Sequence, residues 1–145
     1  MSMPSTIADR RFSIDRPALI RRLREVLPAD ALRVEDEQMR PYECDGLTAY
    51  RQLPLLVALP ENEAQVQAIL KICHELQAPV VARGAATGLS GGATPHPDAV
   101  LVSLARLKRI LSIDPLARTA VVQPGVRNLA VSEAAAAYGL YYAPD

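Results

Sequence analysis

PLLVALPENEAQVQAILKICHELQAPVVARGAATGLSGGA, residues 54–93, carries three patterns in succession, and their order decides the fold class. Leu55, Leu56, Val57, Ala58 and Leu59 form a short apolar run bounded by prolines, the mark of a buried strand. The next segment, 61–77, repeats at the helical period. Val66, Ile69, Leu70, Cys73 and Leu76 share one face, while Gln67, Lys71, His74 and Glu75 share the other. That geometry places Cys73 in the core and His74 in water. Pro79, Val80, Val81 and Ala82 then read as a second buried strand. Strand, helix and strand make a βαβ unit, whose strands should run parallel through a right-handed crossover. A glycine-rich segment leaves the second strand directly.

Downstream, residues 100–104 are a third strand candidate. Residues 110–114 and 119–123 pattern as a hairpin whose turn holds Asp114 and Pro115, and Pro124-Gly125 breaks it. Asn128 is placed to cap an alanine-rich helix over 129–138, with Gly139 as its stop. The small side chains from Ala134 to Ala137 suit close packing. Upstream, Asp15 is a natural N-cap with Pro17 in the first turn. Leu19, Ile20, Leu23, Val26 and Leu27 fall on one arc of that helix, and Arg21, Arg22, Arg24 and Glu25 on the opposite, solvated arc. Residues 29–54 are punctuated by Pro41, Gly46 and Pro54, and PYECDGLTAYR reads as an ordered loop. The expected fold class is α+β with an α/β-like βαβ unit, an N-terminal helix, a further β-hairpin and a helix.

Composition narrows the function. The 145 residues hold 16 Lys and Arg against 16 Asp and Glu, so there is no basic surplus to neutralise a nucleic-acid backbone. Half the residues are hydrophobic, which excludes wholesale disorder. The two cysteines, Cys44 and Cys73, make no disulfide framework and have no metal-ligand spacing. They read as reduced thiols of a cytoplasmic protein. No apolar run approaches the ~18 residues that span a bilayer. The two histidines, His74 and His96, pair with no motif nucleophile. Asp45 and Asp145 lie in loops as possible site residues, although each alone is a common turn former.

The chemistry concentrates in Arg83, Gly84, Ala85, Ala86, Thr87, Gly88, Leu89, Ser90, Gly91 and Gly92. Glycines permit positive φ, so successive backbone N–H groups can surround one anion. Thr87 and Ser90 add hydroxyl donors and Arg83 a positive charge. The spacing matches neither the dinucleotide fingerprint nor the P-loop, since Ala86 stands where the first needs glycine and no Gly-Lys-Thr/Ser follows. On spacing alone a plain glycine-rich loop and a phosphate cradle remain equal alternatives. The position beyond a buried strand favours the cradle.

The 54–93 stretch, with PYECDGLTAYR, VQPGVRNLA and LYYAPD in the same order, resembles the vanillyl-alcohol oxidase/p-cresol methylhydroxylase (PCMH-type) group of FAD-binding domains. Within it the likeness is nearest to the FAD-linked D-subunits of bacterial glycolate oxidases, and covers about residues 15–145. The resemblance implies a flavin lying between two α+β subdomains. It implies a tail over 1–14, a helical and loop segment over 15–52, and the first, truncated subdomain over 53–145. Arg83, Gly84, Ala85, Ala86, Thr87, Gly88, Leu89 and Ser90 would hold the FAD pyrophosphate, and Pro144 and Asp145 would begin a segment along the flavin. Members oxidise 2-hydroxy acids such as glycolate or D-lactate by hydride transfer to FAD. In glycolate oxidase the electrons pass on to an iron–sulfur subunit, which implies a cytoplasmic protein peripheral to the inner membrane through its partners.

Two departures from the family pattern stand out. Where the family has glycine three residues after the arginine, this chain has Ala86, which costs about 1 kcal/mol if that position needs positive φ. The family's substrate domain and catalytic residues lie beyond residue 145, so no catalytic residue is assigned and catalysis is not expected of this segment alone. The competing readings are a non-catalytic interaction module, through the face left for the second subdomain, and a generic nucleotide-phosphate binder.

Overall fold

The computed structural model describes residues 13–143; most of the expected N-terminal tail, together with Pro144 and Asp145, lies outside them. Four helices and six strands follow in order: α1 (Arg16–Arg24), β1 (Leu32–Arg33), α2 (Asp36–Met39), β2 (Leu56–Ala58), α3 (Glu63–Glu75), β3 (Val80–Arg83), β4 (Val100–Ser103), β5 (Ile110–Asp114), β6 (Thr119–Val122) and α4 (Asn128–Ala135). One sheet has the order β1-β2-β4-β3, and β5 and β6 form a separate hairpin.

β2, β4 and β3 run parallel, with Leu56 opposite Val100 and Val80 opposite Val100 on the other side; β1 is antiparallel to β2. The expected βαβ strands are therefore parallel but not neighbours, because β4 inserts between them. This central strand is buried throughout, as is β2. β3 is an edge strand, and it alternates between exposed and half-buried residues rather than being buried, with Val80 37% exposed. An edge strand lacks a neighbour on one side, so its solvent-facing residues stay wet.

α1 begins where Asp15 accepts the N–H of Ala18, satisfying one of the donors a helix start leaves free. Its Leu19 and Leu23 are wholly buried and join Leu56, Val57, Ile69, Cys73, Val100 and Leu101 in one core. Each buried leucine contributes about 1.5–3 kcal/mol of apolar transfer. Arg22 on α1 pairs with Glu75 on α3 at 2.8 Å. α3 is capped by Asn62, which accepts from Gln65 N–H at 2.9 Å. Its buried face holds Ile69 and Cys73, as expected, with Ile72 added, while Leu70 of the expected stripe is 47% exposed. The helix is rotated so that Leu70 faces the hairpin side, where Leu111 and Val121 are exposed as well.

Residues 29–54, which show no clear period in the sequence, hold β1 and α2, both too short to show one. In the hairpin turn, Asp114 Oδ1 accepts from Leu116 and Ala117 N–H, the Asx turn expected of Asp-Pro. Asn128 is not the cap of α4. Arg127 holds that position, with no side-chain bond, and Asn128 is the first helical residue. Of the alanine run only Ala135 is buried. Gly139 does end the helical stretch, at φ +68°.

Candidate functional site

Parallel strands place their carboxyl ends on one side of a sheet, and the connections leaving them meet there. Residues following β3 (Gly84, Ala85, Thr87), β4 (Ala105, Lys108) and β6 (Pro124, Gly125, Val126, Arg127, Asn128) line a cleft of about 430 Å³. No acidic side chain is among them, while Lys108 and Arg127 are. The uncapped start of α4 forms part of the wall, so its free N–H groups and partial positive charge add to both cations.

Opposite lies the glycine loop. Among the described residues, none of the backbone N–H groups of residues 84–90 donates a hydrogen bond. The backbone at Gly84 and Gly88 is equally bare: a Cβ at either would meet nothing within 4 Å. Unengaged N–H groups along residues 84–90, three of them on residues that line the cleft with the two cations, suit an anion with several oxygens, and bare glycines let it approach the main chain. Positive φ occurs at Gly91 (+75°) and at Ala86 (+57°), the position where the resemblance expects glycine. The Thr94 hydroxyl beside Gly91 is buried without a partner among the described residues.

The sequence candidates separate into groups. Gly84, Ala85 and Thr87 line the cleft. Ala86 sits half-buried at the bend, and Gly88, Leu89 and Ser90 continue along the exposed loop, with Leu89 73% exposed. The Arg83 guanidinium turns to the 41–47 segment. Its Nη1 donates to the carbonyls of Cys44 at 2.6 Å and Tyr42 at 3.3 Å, and its Nη2 to that of Pro41 at 3.4 Å. It also stands 5.5 Å from the centre of the Tyr42 ring. Burial lowers the Arg83 pKa below its ordinary value, and the Asp45 carboxylate is among the groups that pull it back. Asp45 is buried in this same segment. His74 is exposed as expected, and His96 accepts from Asp98 N–H within its own loop.

The second wall, Lys108 and residues 124–128, was not assigned from sequence. Its signals in the sequence are the Pro124-Gly125 break immediately after a strand and the VQPGVRNLA stretch within the family resemblance, neither of which assigns Lys108 or Arg127 a role. Gly125 is demanded by space, since a Cβ there would lie 2.7 Å from the carbonyl oxygens of both Leu104 and Leu107. The described residues hold no cluster fit for a metal ion, and no helix among them is long and apolar enough to cross a membrane.

Comparison with known proteins gives a consistent picture. The family model described as FAD binding domain matches residues 54–145. Glycolate oxidase subunit GlcD of Escherichia coli (strain K12) is 57% identical over 132 residues, covering 91% of this chain and 26% of that protein. D-lactate dehydrogenase of Anaerostipes hadrus is 32% identical over 130 residues, covering 89% of this chain and 27% of its own. Among solved structures, p-cresol methylhydroxylase with substrate bound superimposes with a TM-score of 0.73 at 26% identity, over 84% of this chain and 24% of that one. The chain thus spans about a quarter of the length of these relatives.

Proposed function

The chain belongs to the FAD binding domain family, its fold is that of PCMH-type FAD domains and its cofactor is FAD; from that premise we propose that the cleft beyond β3, β4 and β6 is where the cofactor's diphosphate is held. The observation that carries the assignment is the run of seven backbone N–H groups, residues 84–90, without a partner among the described residues. A diphosphate needs several donors, and here they are already presented. Gly84, Ala85, Ala86, Thr87, Gly88, Leu89 and Ser90 supply main-chain donors, and Thr87 and Ser90 add hydroxyls. Lys108, Arg127 and the start of α4 oppose the charge from the facing wall. Arg83 acts by holding the base of the loop. Pro144 and Asp145 retain their proposed place along the flavin.

When bound, FAD supplies a hydride acceptor. The proposed activity of the whole protein is the oxidation of a 2-hydroxy acid, glycolate or D-lactate, to the 2-oxo acid. Similarity to a glycolate oxidase subunit and to a D-lactate dehydrogenase supports it. Similarity to a protein named as a subunit supports assembly with further subunits; we propose an iron–sulfur subunit among them and a cytoplasmic place at the inner membrane reached through these partners. This chain's own contribution is binding and orientation.

Titration with FAD, followed by quenching of flavin fluorescence, tests the site. Gly84 has no positive φ and no neighbour within 4 Å of a Cβ, so Gly84→Ala leaves the fold intact while intruding on the ligand. We expect an unchanged Tm and a Kd for FAD raised about tenfold or more, the equivalent of ~1.4 kcal/mol. Equal affinity in both proteins would overturn the assignment.

A second reading, an interaction module, is favoured by one observation. Leu70, Leu111, Val121 and Val122 are exposed around a groove of about 490 Å³ between α3 and the hairpin. Size-exclusion chromatography decides it: a monomer at all concentrations counts against self-association.

A further inference from the structure

The glycine loop is tied to one distant segment at both ends and in its middle. At the upstream end Arg83 donates to the carbonyls of Pro41, Tyr42 and Cys44. In the middle, Gly46 lies so close that a Cβ there would be 2.8 Å from the Thr87 carbonyl oxygen and 2.7 Å from that of Gly88. At the downstream end Asp45 closes the arrangement. The residue is 5% exposed and both carboxylate oxygens are engaged. Oδ1 accepts from Leu47 N–H at 2.9 Å, and Oδ2 accepts from Ala93 N–H at 3.4 Å, 48 residues further on.

The first of these bonds is a local Asx turn, which any turn-forming Asp or Asn makes. The second is not explained by the turn. Burying a carboxylate beside a site for a multiply charged anion is electrostatically adverse, so its position calls for a reason. Arg83 compensates the charge, and Ala93 N–H gives it a task.

A loop whose main-chain donors are unengaged has little of its own to hold one conformation. Fixing a flexible backbone costs conformational entropy, and a ligand that must order the loop binds more weakly by that cost. We propose that Asp45 is a positioning residue for the diphosphate loop. It anchors the loop's downstream end to the 41–47 segment, so that the N–H groups of residues 84–90 are set before the anion arrives. This rests on the assignment of the loop to the FAD diphosphate.

The test is a titration of the 15N-labelled chain with inorganic pyrophosphate and with FAD, read at the amide resonances of residues 84–90. Asp45→Asn keeps the shape and the Oδ1 acceptor but places an NH₂ group against Ala93 N–H. In the unaltered chain both ligands shift these resonances. In D45N the remainder of the spectrum is retained, and the half-saturating concentration of either ligand rises about tenfold. Glu43→Gln breaks ion pairs to Arg40 and Arg51 on the same segment without touching the loop, and leaves both titrations unchanged. If D45N does not fold, Gly46→Ala, which pushes the segment off the Thr87 and Gly88 carbonyls, shows the same weakening. D45N that folds and binds with unaltered affinity overturns the positioning role and leaves the FAD site standing. Failure of the unaltered chain to respond to either ligand overturns both.

Discussion

The guanidinium of Arg83 donates to the carbonyl of Cys44 at 2.6 Å, across 39 residues of sequence. Arg83 is the last residue of β3, so the bond joins the sheet's carboxyl end to a segment that enters the fold before β2. The guanidinium spreads its donors over two nitrogens held in one plane, and both nitrogens are engaged here. Arg83→Lys keeps the charge and loses the fork, taking a donor from the part-buried carbonyls of Tyr42 and Cys44. The expected cost is about 1–3 kcal/mol. At ~2–4 °C per kcal/mol for a domain of this size, Tm falls measurably by circular dichroism. A substitution that leaves Tm unmoved would show that the fork holds nothing.

Ala86 occupies the left-handed region at φ +57°, where a Cβ is penalised by about 1–2 kcal/mol. Part of that gain is lost to the greater freedom of glycine in the unfolded chain. Ala86→Gly should still raise the denaturant midpoint, by a net of about 0.5–1 kcal/mol, and tighten FAD binding. Gln77, at φ +53° just beyond α3, is the control. It closes a Schellman motif in which Gln77 N–H bonds His74 O and Ala78 N–H bonds Cys73 O, far from the cleft. Gln77→Gly should raise stability with no effect on the ligand. Destabilisation by A86G would refute the strain argument.

Gly125 is fixed by crowding rather than by φ. Its N–H bonds Leu107 O at 2.7 Å, and a Cβ would press on the carbonyls of Leu104, Ala105 and Leu107. Gly125→Ala must move either the β4–β5 connection or the start of α4, and both are walls of the cleft. Overpacking of this kind costs about 1–3 kcal/mol. Unlike G84A, then, G125A should lower stability and FAD affinity together. A variant that keeps both would show that the 124–128 segment yields freely.

These contrasts mark what was legible in the sequence. The strand, helix and strand of residues 54–83, the hairpin and the glycine stop at Gly139 follow from periodicity and turn chemistry, which are local. The facing of Leu70 and the exposure of Val80 depend on which neighbours arrive: a hairpin on one side of α3, none beyond β3. In the candidate site, the glycine loop announced itself by composition. Its second wall did not, because Lys108 and Arg127 are ordinary surface cations until the β4–β5 and β6–α4 connections bring them together. Nor did the partner of Asp45, since Ala93 contributes only a main-chain N–H, which any residue but proline would supply.

Cys73 gives the fold a pH limit on the alkaline side. It is 1% exposed on the buried face of α3, and burial pushes its thiol from an ordinary 9.0 up to about 11. In the unfolded chain the thiol ionises near its ordinary value, while in the fold it stays neutral. The stability this contributes is complete below pH 9 and is withdrawn as pH rises through 9 to about 11. Two units of displacement correspond to about 2–3 kcal/mol. Cysteine to alanine at position 73 removes the term at the cost of a small cavity, so the stability gap between the two proteins should narrow between pH 8 and pH 10.5 in urea unfolding. At neutral pH iodoacetamide should modify the half-buried Cys44 first, and Cys73 only at the rate of unfolding. A gap that stays constant with pH, or equal labelling of both thiols in the native state, would refute the burial of Cys73 as the source.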